Sequence, residues 1–171
     1  MLNFILKSLY FFLPVYFANM APILFRKIPW GGEPIHSKLF GSNKTWRGLL
    51  AAVFLGTVVF GIQKVLHLRG FQLFALIDYG DFSLWLGVWM SLGAILGDLM
   101  KSYYKRKENI PVGKRWFPYD QLDFVVGGII GSWMVYVPSV QVVVVLLLFS
   151  PLLHIAVNHL AYWLRIRKEK W

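Results

Sequence analysis

The chain has 171 residues, of which 57% are hydrophobic and 15% are charged, and its mean hydropathy is +0.56. Soluble domains carry about 25% charged residues, so this composition indicates an integral membrane protein. The absence of cysteine excludes disulfides, thiolate nucleophiles and cysteine-ligated metals.

The formal net charge of +10 would suit a nucleic-acid-binding protein if the chain were soluble. Here the basic residues stand between long apolar segments. This placement favours contact with membrane lipids. We therefore expect no nucleic-acid partner.

Apolar segments long enough to cross a bilayer recur along the chain. A hydrocarbon core of roughly 30 Å requires about 20 apolar residues in helical conformation. No convincing signal-peptide cleavage site follows the first segment, so we interpret it as a transmembrane helix. The predicted fold is an all-α integral membrane protein, a bundle of about five transmembrane helices in one domain over residues 1–171. The predicted spans are Leu2–Phe25, Gly48–His67, Phe82–Met100, Leu122–Val137 and Val140–Leu164.

Basic residues are concentrated in alternate connections. Residues 26–47, residues 101–121 and the C-terminal tail are rich in Lys and Arg, whereas Arg69 is the only basic residue between the second and third spans. Because cytoplasmic loops are enriched in Lys and Arg, we predict that the N-terminus lies outside and the C-terminus in the cytoplasm. The basic residues of the tail are Arg165, Arg167, Lys168 and Lys170.

Two pairs of glycines four residues apart occur in the third and fourth predicted spans. Gly93 and Gly97 form one pair, and Gly127 and Gly131 form the other. This spacing places both glycines of a pair on one helical face and lets two backbones approach closely. One interpretation is that the glycine faces join the two spans and bring three aspartates together. The other is helix packing with no connection to a site.

The three aspartates lie where the third predicted span ends and the fourth begins. Asp98 shares one helical face with the polar residues at i+3, i+4 and i+7, which are Lys101, Ser102 and Lys105. Mg²⁺ in proteins takes one or two carboxylates together with substrate phosphates. Asp98, Asp120 and Asp123 are therefore candidate metal ligands, and the neighbouring Lys and Arg are candidates for phosphate binding. The alternative for the aspartates is a set of structural ion pairs.

A second polar cluster, Ser42–Arg47, lies at the start of the second predicted span. It differs from a nucleotide-binding P-loop because Asn43 stands where that motif has glycine. Backbone and side-chain donors at the start of a helix suit an anion, so this cluster is a second candidate phosphate site. Lys44 and Arg47 could equally serve only as topology signals.

Two motifs together resemble those of CTP-dependent lipid cytidylyltransferases, the CDP-diacylglycerol synthase superfamily. The first motif is Gly97-Asp98…Ser102…Lys105-Arg106…Asp120-Gln121-Leu122-Asp123. The second, which is similar to that of the archaeal CDP-archaeol synthases, is Gly41…Lys44-Thr45-Trp46-Arg47-Gly48. The His-Gly-Gly of bacterial members is absent and Gln121 replaces their Arg, which also favours the archaeal branch. His36 stands where that branch carries an acidic residue.

The resemblance implies a CTP-dependent nucleotidyltransferase that makes a CDP-archaeol precursor and pyrophosphate from CTP and 2,3-di-O-geranylgeranylglyceryl phosphate. An oxygen of this isoprenoid glycerol phosphate lipid would attack the α-phosphorus of CTP with Mg²⁺ as cofactor. Because the lipid phosphate is already anionic, no general base is required. The implied catalytic residues are Asp98, Lys105, Asp120 and Asp123, with Asp98, Asp120 and Asp123 also binding the metal. The implied substrate-binding residues are Asn43, Lys44, Thr45, Arg47, Ser102, Arg106 and Gln121.

The apolar spans and the one-sided basic loops predict a multi-pass protein of the cell membrane. With the catalytic residues that the resemblance implies, its single transmembrane catalytic domain, residues 1–171, is expected to have the active site on the cytoplasmic side. The chain could also form a homodimer.

Other functions remain open from the sequence. A CDP-diacylglycerol synthase would act on ester phosphatidate. A non-enzymatic ion or lipid transporter would continue its polar residues through several spans, and a lipid phosphatase would need a nucleophile with a partner base, which Ser102 lacks. The polar residues within the spans either line a headgroup cavity or form interhelical hydrogen bonds. These residues are Asn19, His154 and Asn158.

Overall fold

A computed structural model describes residues 1–112 and 114–163. The described part of the chain is helical, and its β structure is limited to one isolated bridge between Pro34 and Thr45. The α-helices are α1 (Leu2–Phe11), α2 (Leu13–Leu24), α3 (Ser37–Phe40), α4 (Trp46–Leu68), α5 (Trp85–Lys107), α6 (Tyr119–Ser132) and α7 (Val140–Trp163). The all-α prediction is thereby confirmed. Leu164 and the four basic residues of the tail lie outside the described residues.

The first predicted span is not one continuous helix. Helices α1 and α2 meet at Phe12 with a bend of 50°. Pro14 lies in the first turn of α2, and proline lacks the N–H that a continuous helix would use at this position and clashes with the carbonyl four residues earlier. The prediction of an unbroken helix over Leu2–Phe25 is therefore wrong, because Pro14 begins a new helix instead of continuing the old one.

The helices differ in their ability to cross a membrane. By length and composition, α4 and residues Val140–Leu160 of α7 qualify, and the bent α1–α2 pair qualifies if it is counted as one span. Helix α6 has only 14 residues, or about 21 Å at 1.5 Å per residue, and it ends at Ser132 instead of the predicted Val137. Helix α5 carries basic residues through its last turn. The protein is an all-helical membrane protein, and the count of five spans stays a prediction.

Helix α5 occupies the centre of the bundle and packs on α2, α4 and α6. Helix α2 also packs along α4, and α7 lies against α1 and α6. The main core contains large apolar side chains from almost every helix, with a smaller alanine-rich cluster between α2, α4 and α5. The central position of α5 means that a polar residue at its end can meet residues from several neighbours.

The contact between α5 and α6 is made by the glycine pairs. A Cβ atom on Gly93 would collide with the backbone carbonyl of Gly127, and one on Gly97 would collide with the carbonyl of Asp123. Gly131 is equally close to the carbonyl of Trp89. The two backbones therefore touch directly, as small-residue faces allow. This confirms that the glycines join the two helices and set the distance between the polar ends of α5 and α6.

The segment between α2 and α4 folds back toward the end of α5. Its two halves are joined by hydrogen bonds from Ile35 N–H to the Lys44 carbonyl at 2.8 Å and from Arg47 N–H to the Gly31 carbonyl at 2.7 Å. Helix α3 within it packs on α5. The Thr45 hydroxyl caps α4 by accepting a hydrogen bond from Gly48 N–H at 3.2 Å. The segment is thereby held over the end of α5, with Lys44 facing that helix.

Candidate active site

Three carboxylates converge on one ammonium group where α5 meets α6. The Nζ atom of Lys101 lies 3.1 Å from Oδ1 of Asp98, 2.9 Å from Oδ1 of Asp120 and 2.9 Å from Oδ2 of Asp123. The Asp123 side chain is only 5% exposed. The predicted meeting of the three aspartates is confirmed, and its physical origin is the glycine contact that brings α5 and α6 together.

Lys44 connects the second polar cluster to this site. Its ammonium forms an ion pair with Oδ2 of Asp98. A Cβ atom placed on Gly41 would lie 3.3 Å from the Val112 side chain, so the segment before α4 also approaches the loop after α5. The two motifs, 54 positions apart from Lys44 to Asp98, therefore meet in the folded chain.

Asp120 fastens the loop between α5 and α6. It accepts hydrogen bonds from Lys105 at 3.0 and 3.1 Å and from the backbone N–H of Trp116 at 2.6 Å. Lys105 also donates to the carbonyl of Lys114. Asp120 and Lys105 therefore hold the loop in place, which is a positioning role in addition to any contact with substrate.

The charge states of Lys101 and Asp120 follow from these contacts. Burial favours the neutral form of Lys101, but the carboxylates of Asp98, Asp123 and Asp120 outweigh it and raise the pKa of Lys101 well above its ordinary value. Burial also opposes ionisation of Asp120, yet Lys101, Lys105 and the N–H of Trp116 lower the pKa of that carboxyl. Both groups are therefore charged at neutral pH.

The other predicted substrate-binding residues differ in burial. Ser102 is buried on α5, and Gln121 is buried in the first turn of α6. Among the residues described, the Oε1 atom of Gln121 and the Nε atom of Arg106 are buried with no hydrogen-bond partner. Buried polar atoms are normally satisfied, so the Gln121 oxygen is available to accept, and the Arg106 N–H to donate, a hydrogen bond to a ligand. Asn43 is exposed in the turn before α4.

Thr45 and Arg47 have structural partners. Thr45 is the N-cap of α4, and Arg47 donates to the carbonyl of Ile28. The guanidinium of Arg47 also lies beside Gly32, within 3.6 Å of a Cβ placed there. These two residues shape the segment that carries Lys44, so any binding role for them is additional to this one.

Whether the site can bind a divalent cation depends on its carboxylate oxygens. Within the described ranges, no three His, Asp, Glu or Cys side chains are grouped so that they could hold a metal by themselves. Carboxylates from Asp98, Asp120 and Asp123 nevertheless all lie within 3.1 Å of one cation, the ammonium of Lys101. Hard oxygen donors of this kind suit Mg²⁺ when substrate phosphates complete its coordination. The donor set therefore fits Mg²⁺ bound together with phosphate.

Lys101 is the central residue that the sequence interpretation did not assign to the site. It belongs to the basic run that is a candidate for phosphate binding, but it is not among the catalytic or substrate-binding residues that the resemblance implies. The spacing of three residues between Asp98 and Lys101 already placed both side chains on one face. The missing information was the position of α6, which supplies the other two carboxylates.

The polar residues of α7 have partners within the helix bundle. Ser150 and the Tyr16 hydroxyl are 2.7 Å apart and connect α7 to α2. His154 and Asn158, one turn apart, are joined at 3.2 Å, and the His154 ring packs edge-on against Phe124 at 5.3 Å. The Tyr16–Ser150 pair is an interhelical hydrogen bond, whereas the His154–Asn158 contact lies within α7.

Comparison with known proteins agrees with this arrangement. The model of the family CarS-like, CDP-archaeol synthase, matches residues 1–171. The CDP-archaeol synthase of Pyrococcus furiosus is 32% identical over 177 residues, with 98% of each chain covered. That of Pyrobaculum arsenaticum is 34% identical over 166 residues, with 92% of this chain and 93% of the relative covered.

A solved structure of an intramembrane enzyme for archaeal membrane lipids biosynthesis has a TM-score of 0.68 and 28% identity to this chain. The similarity covers 90% of this chain and 94% of the other. A helical membrane bundle with this cluster of carboxylates and lysines is thus an intramembrane enzyme. The chain belongs to the CDP-archaeol synthase family. The family resemblance inferred from the two motifs is confirmed, and a non-enzymatic transporter is not favoured.

Proposed function

We propose that this enzyme transfers the cytidylyl group of CTP to 2,3-di-O-geranylgeranylglyceryl phosphate. An oxygen of the lipid phosphate forms a bond to the α-phosphorus of CTP, and the bond from that phosphorus to the β-phosphate bridging oxygen breaks. The products are CDP-activated lipid and pyrophosphate. The relatives named CDP-archaeol synthase support the archaeal lipid over the ester phosphatidate of a CDP-diacylglycerol synthase.

The observation that carries the proposal is the ion pair between Lys44 and Asp98, which joins the two polar motifs. Lysines from one motif and carboxylates from the other are both needed for a reaction between two phosphates. The lysines offset the negative charge that the two phosphates bring together, and the carboxylates hold a metal ion. Charged groups fixed in advance stabilise a transition state better than water does.

Each group has a distinct role in this proposal. Asp98, Asp120 and Asp123 would hold Mg²⁺ together with phosphate oxygens of CTP, and Asp120 also fastens the loop between α5 and α6. When bound, Mg²⁺ stabilises charge on the phosphates and the leaving group. Lys44, Lys105 and Arg106 bind phosphate oxygens. Polar contacts to the nucleotide come from a surrounding set of side chains: Asn43, Thr45, Arg47, Ser102 and Gln121.

A direct assay tests the proposed reaction. Purified protein in lipid nanodiscs is incubated with labelled CTP and either the geranylgeranyl ether phosphate or an ester phosphatidate, with and without Mg²⁺. We expect labelled lipid only with Mg²⁺, and more of it from the ether phosphate. Equal or faster use of phosphatidate would favour the CDP-diacylglycerol synthase alternative, and no labelled lipid from either would contradict the proposal.

The proposal includes a multi-pass topology with the active site facing the cytoplasm. Cysteines introduced by Ser37→Cys and Ser83→Cys test it, because the chain has no native cysteine and both positions are exposed. Residue 37 lies in the segment before α4 and residue 83 at the other end of that helix. A membrane-impermeant maleimide should label them from opposite faces of sealed vesicles. Labelling of both from one face would contradict the topology.

Lys44→Ala tests the contribution of the second motif. We expect a rise in KM for CTP of roughly tenfold or more, because a charged hydrogen bond contributes about 1.5–3 kcal/mol. Lys38→Ala is the matched control, since Lys38 is an exposed lysine in the same segment. The control should leave KM unchanged. If Lys44→Ala and wild type had equal kinetics, Lys44 would have no role in CTP binding and would serve only in membrane topology.

The oligomeric state of the enzyme is a separate question from its activity. A homodimer stays a prediction, and light scattering of the purified enzyme in detergent tests it.

A further inference from the structure

The centre of the site already contains a cation that belongs to the chain. The ammonium of Lys101 lies within 3.1 Å of carboxylate oxygens from Asp98, Asp120 and Asp123. An ammonium has three hydrogens to donate, so these three contacts use its whole donor capacity. The side chain is only 14% exposed, which makes the contacts difficult for water to replace.

The charges of the site balance without any bound ion. Its three carboxylates face three ammonium groups, those of Lys44, Lys101 and Lys105. A divalent cation entering alone would leave two uncompensated positive charges in a largely buried place, which is unfavourable. A nucleoside triphosphate brings negative charge that compensates these two positive charges. The charge balance therefore favours joint binding of metal and nucleotide over binding of the metal alone.

We propose that Lys101 acts as a resident counter-ion that holds the three carboxylates until metal and nucleotide bind together, so that the site has little affinity for the free metal. The inference rests on the proposed function for the identity of the nucleotide. Once its carboxylates engage a metal ion, Lys101 is released to pair with phosphate oxygens. Lys101 thus sets the dependence of metal binding on nucleotide.

The competing account is a fixed tether. In that account Lys101 only ties α5 to α6, and its removal lowers stability without changing metal affinity. The two accounts differ in the affinity of the site for a divalent cation in the absence of nucleotide. A purely structural role of Lys101 would leave this affinity unchanged.

Metal binding by the full-length protein separates them. Mn²⁺, a paramagnetic substitute for Mg²⁺, is titrated without nucleotide and its free fraction is measured by electron paramagnetic resonance. The variant Lys101→Met removes the charge and keeps the length of the side chain. We expect it to bind Mn²⁺ about tenfold more tightly than wild type, or tighter, because a positive charge no longer repels the metal at close range.

Binding of labelled CTP, measured by equilibrium dialysis without lipid substrate, gives a second readout. Wild type should bind CTP more tightly when Mg²⁺ is present. Lys101→Met should bind CTP more weakly than wild type with Mg²⁺, because the ammonium that would pair with phosphate is lost. Lys101→Arg, which keeps the charge, should retain low Mn²⁺ affinity.

A matched control is Lys107→Met, which removes an exposed lysine from the same helix and should behave as wild type in both measurements. Lys101→Gln replaces Lys101→Met if the latter elutes as an aggregate in gel filtration. A folded, uncharged variant with wild-type Mn²⁺ affinity would overturn the inference and establish the tether. Failure of cytidylyl transfer by wild type, with these binding results intact, would count against the proposed function alone.

Discussion

Replacing Asp123 with Asn lowers turnover by about 10²–10³-fold and leaves the protein folded. Asn has nearly the same shape as Asp but no negative charge, and loss of one well-placed electrostatic contact at a reacting centre typically has an effect on the order of 10²–10³-fold. Asp123 is the most deeply buried of the three carboxylates and faces Lys101. Specific activity and melting temperature, measured on the same preparation, test this expectation.

Asp81→Asn is the matched control for this experiment. Asp81 is exposed and lies near the start of α5, away from the carboxylate cluster. Its replacement should leave turnover and melting temperature unchanged. A lower melting temperature for Asp123→Asn with normal turnover per folded molecule would show that Asp123 serves a structural ion pair and would contradict a catalytic role.

Gly127→Ala should reduce both stability and activity. The added methyl group would collide with the carbonyl of Gly93, and neither backbone can move without separating α5 from α6. Overpacking of this kind costs about 1–3 kcal/mol. A displacement of about 1 Å at reacting groups can cost on the order of 10²-fold in rate, and separation of the helices moves Asp98 away from Asp123. We expect a fall in melting temperature accompanied by a fall in turnover.

Gly61→Ala provides the comparison. Gly61 also lies in a helix, but a methyl group there would meet only the Leu84 side chain, at an ordinary distance of 3.5 Å. This variant should retain wild-type stability and turnover. If Gly127→Ala also retained both, the close contact of the two helices would have no bearing on the site.

The two predictions address different levels of the same arrangement. Asp123→Asn changes the charge and leaves the backbone in place, whereas Gly127→Ala changes the backbone contact and leaves every charge in place. If activity depends on both the charge and the helix contact, each variant should lose turnover, but only Gly127→Ala should lose stability. Measuring turnover and melting temperature for both variants therefore distinguishes loss of a catalytic charge from displacement of the helices.

The sequence predicted the helical membrane class and most helix positions because these depend on local composition. Helix α4 lies almost where the apolar segment Gly48–His67 placed it. The predicted bounds of the first and fourth spans were wrong. Pro14 broke the first span into two helices, and α6 ended at Ser132, before the apolar residues that follow it.

The charged residues of the site could also be identified from the sequence. Asp98, Asp120 and Asp123 were identified because acidic residues beside apolar spans are costly to keep, and two motifs placed them in a family. Periodicity showed which residues share a helical face, and the glycine pairs indicated which faces could meet. These are properties of single helices, and a linear chain displays them directly.

Only the tertiary structure decided how the charges pair. Lys44 reaches Asp98 because the segment before α4 folds back over α5, and Lys101 becomes the centre of three carboxylates because α6 supplies two of them. Ion pairs depend on distances of a few ångströms between residues far apart in the chain, and no local pattern encodes such distances. The sequence therefore determined which charged groups the protein has, and the packing of α5 against α6 determined which of them neutralise one another.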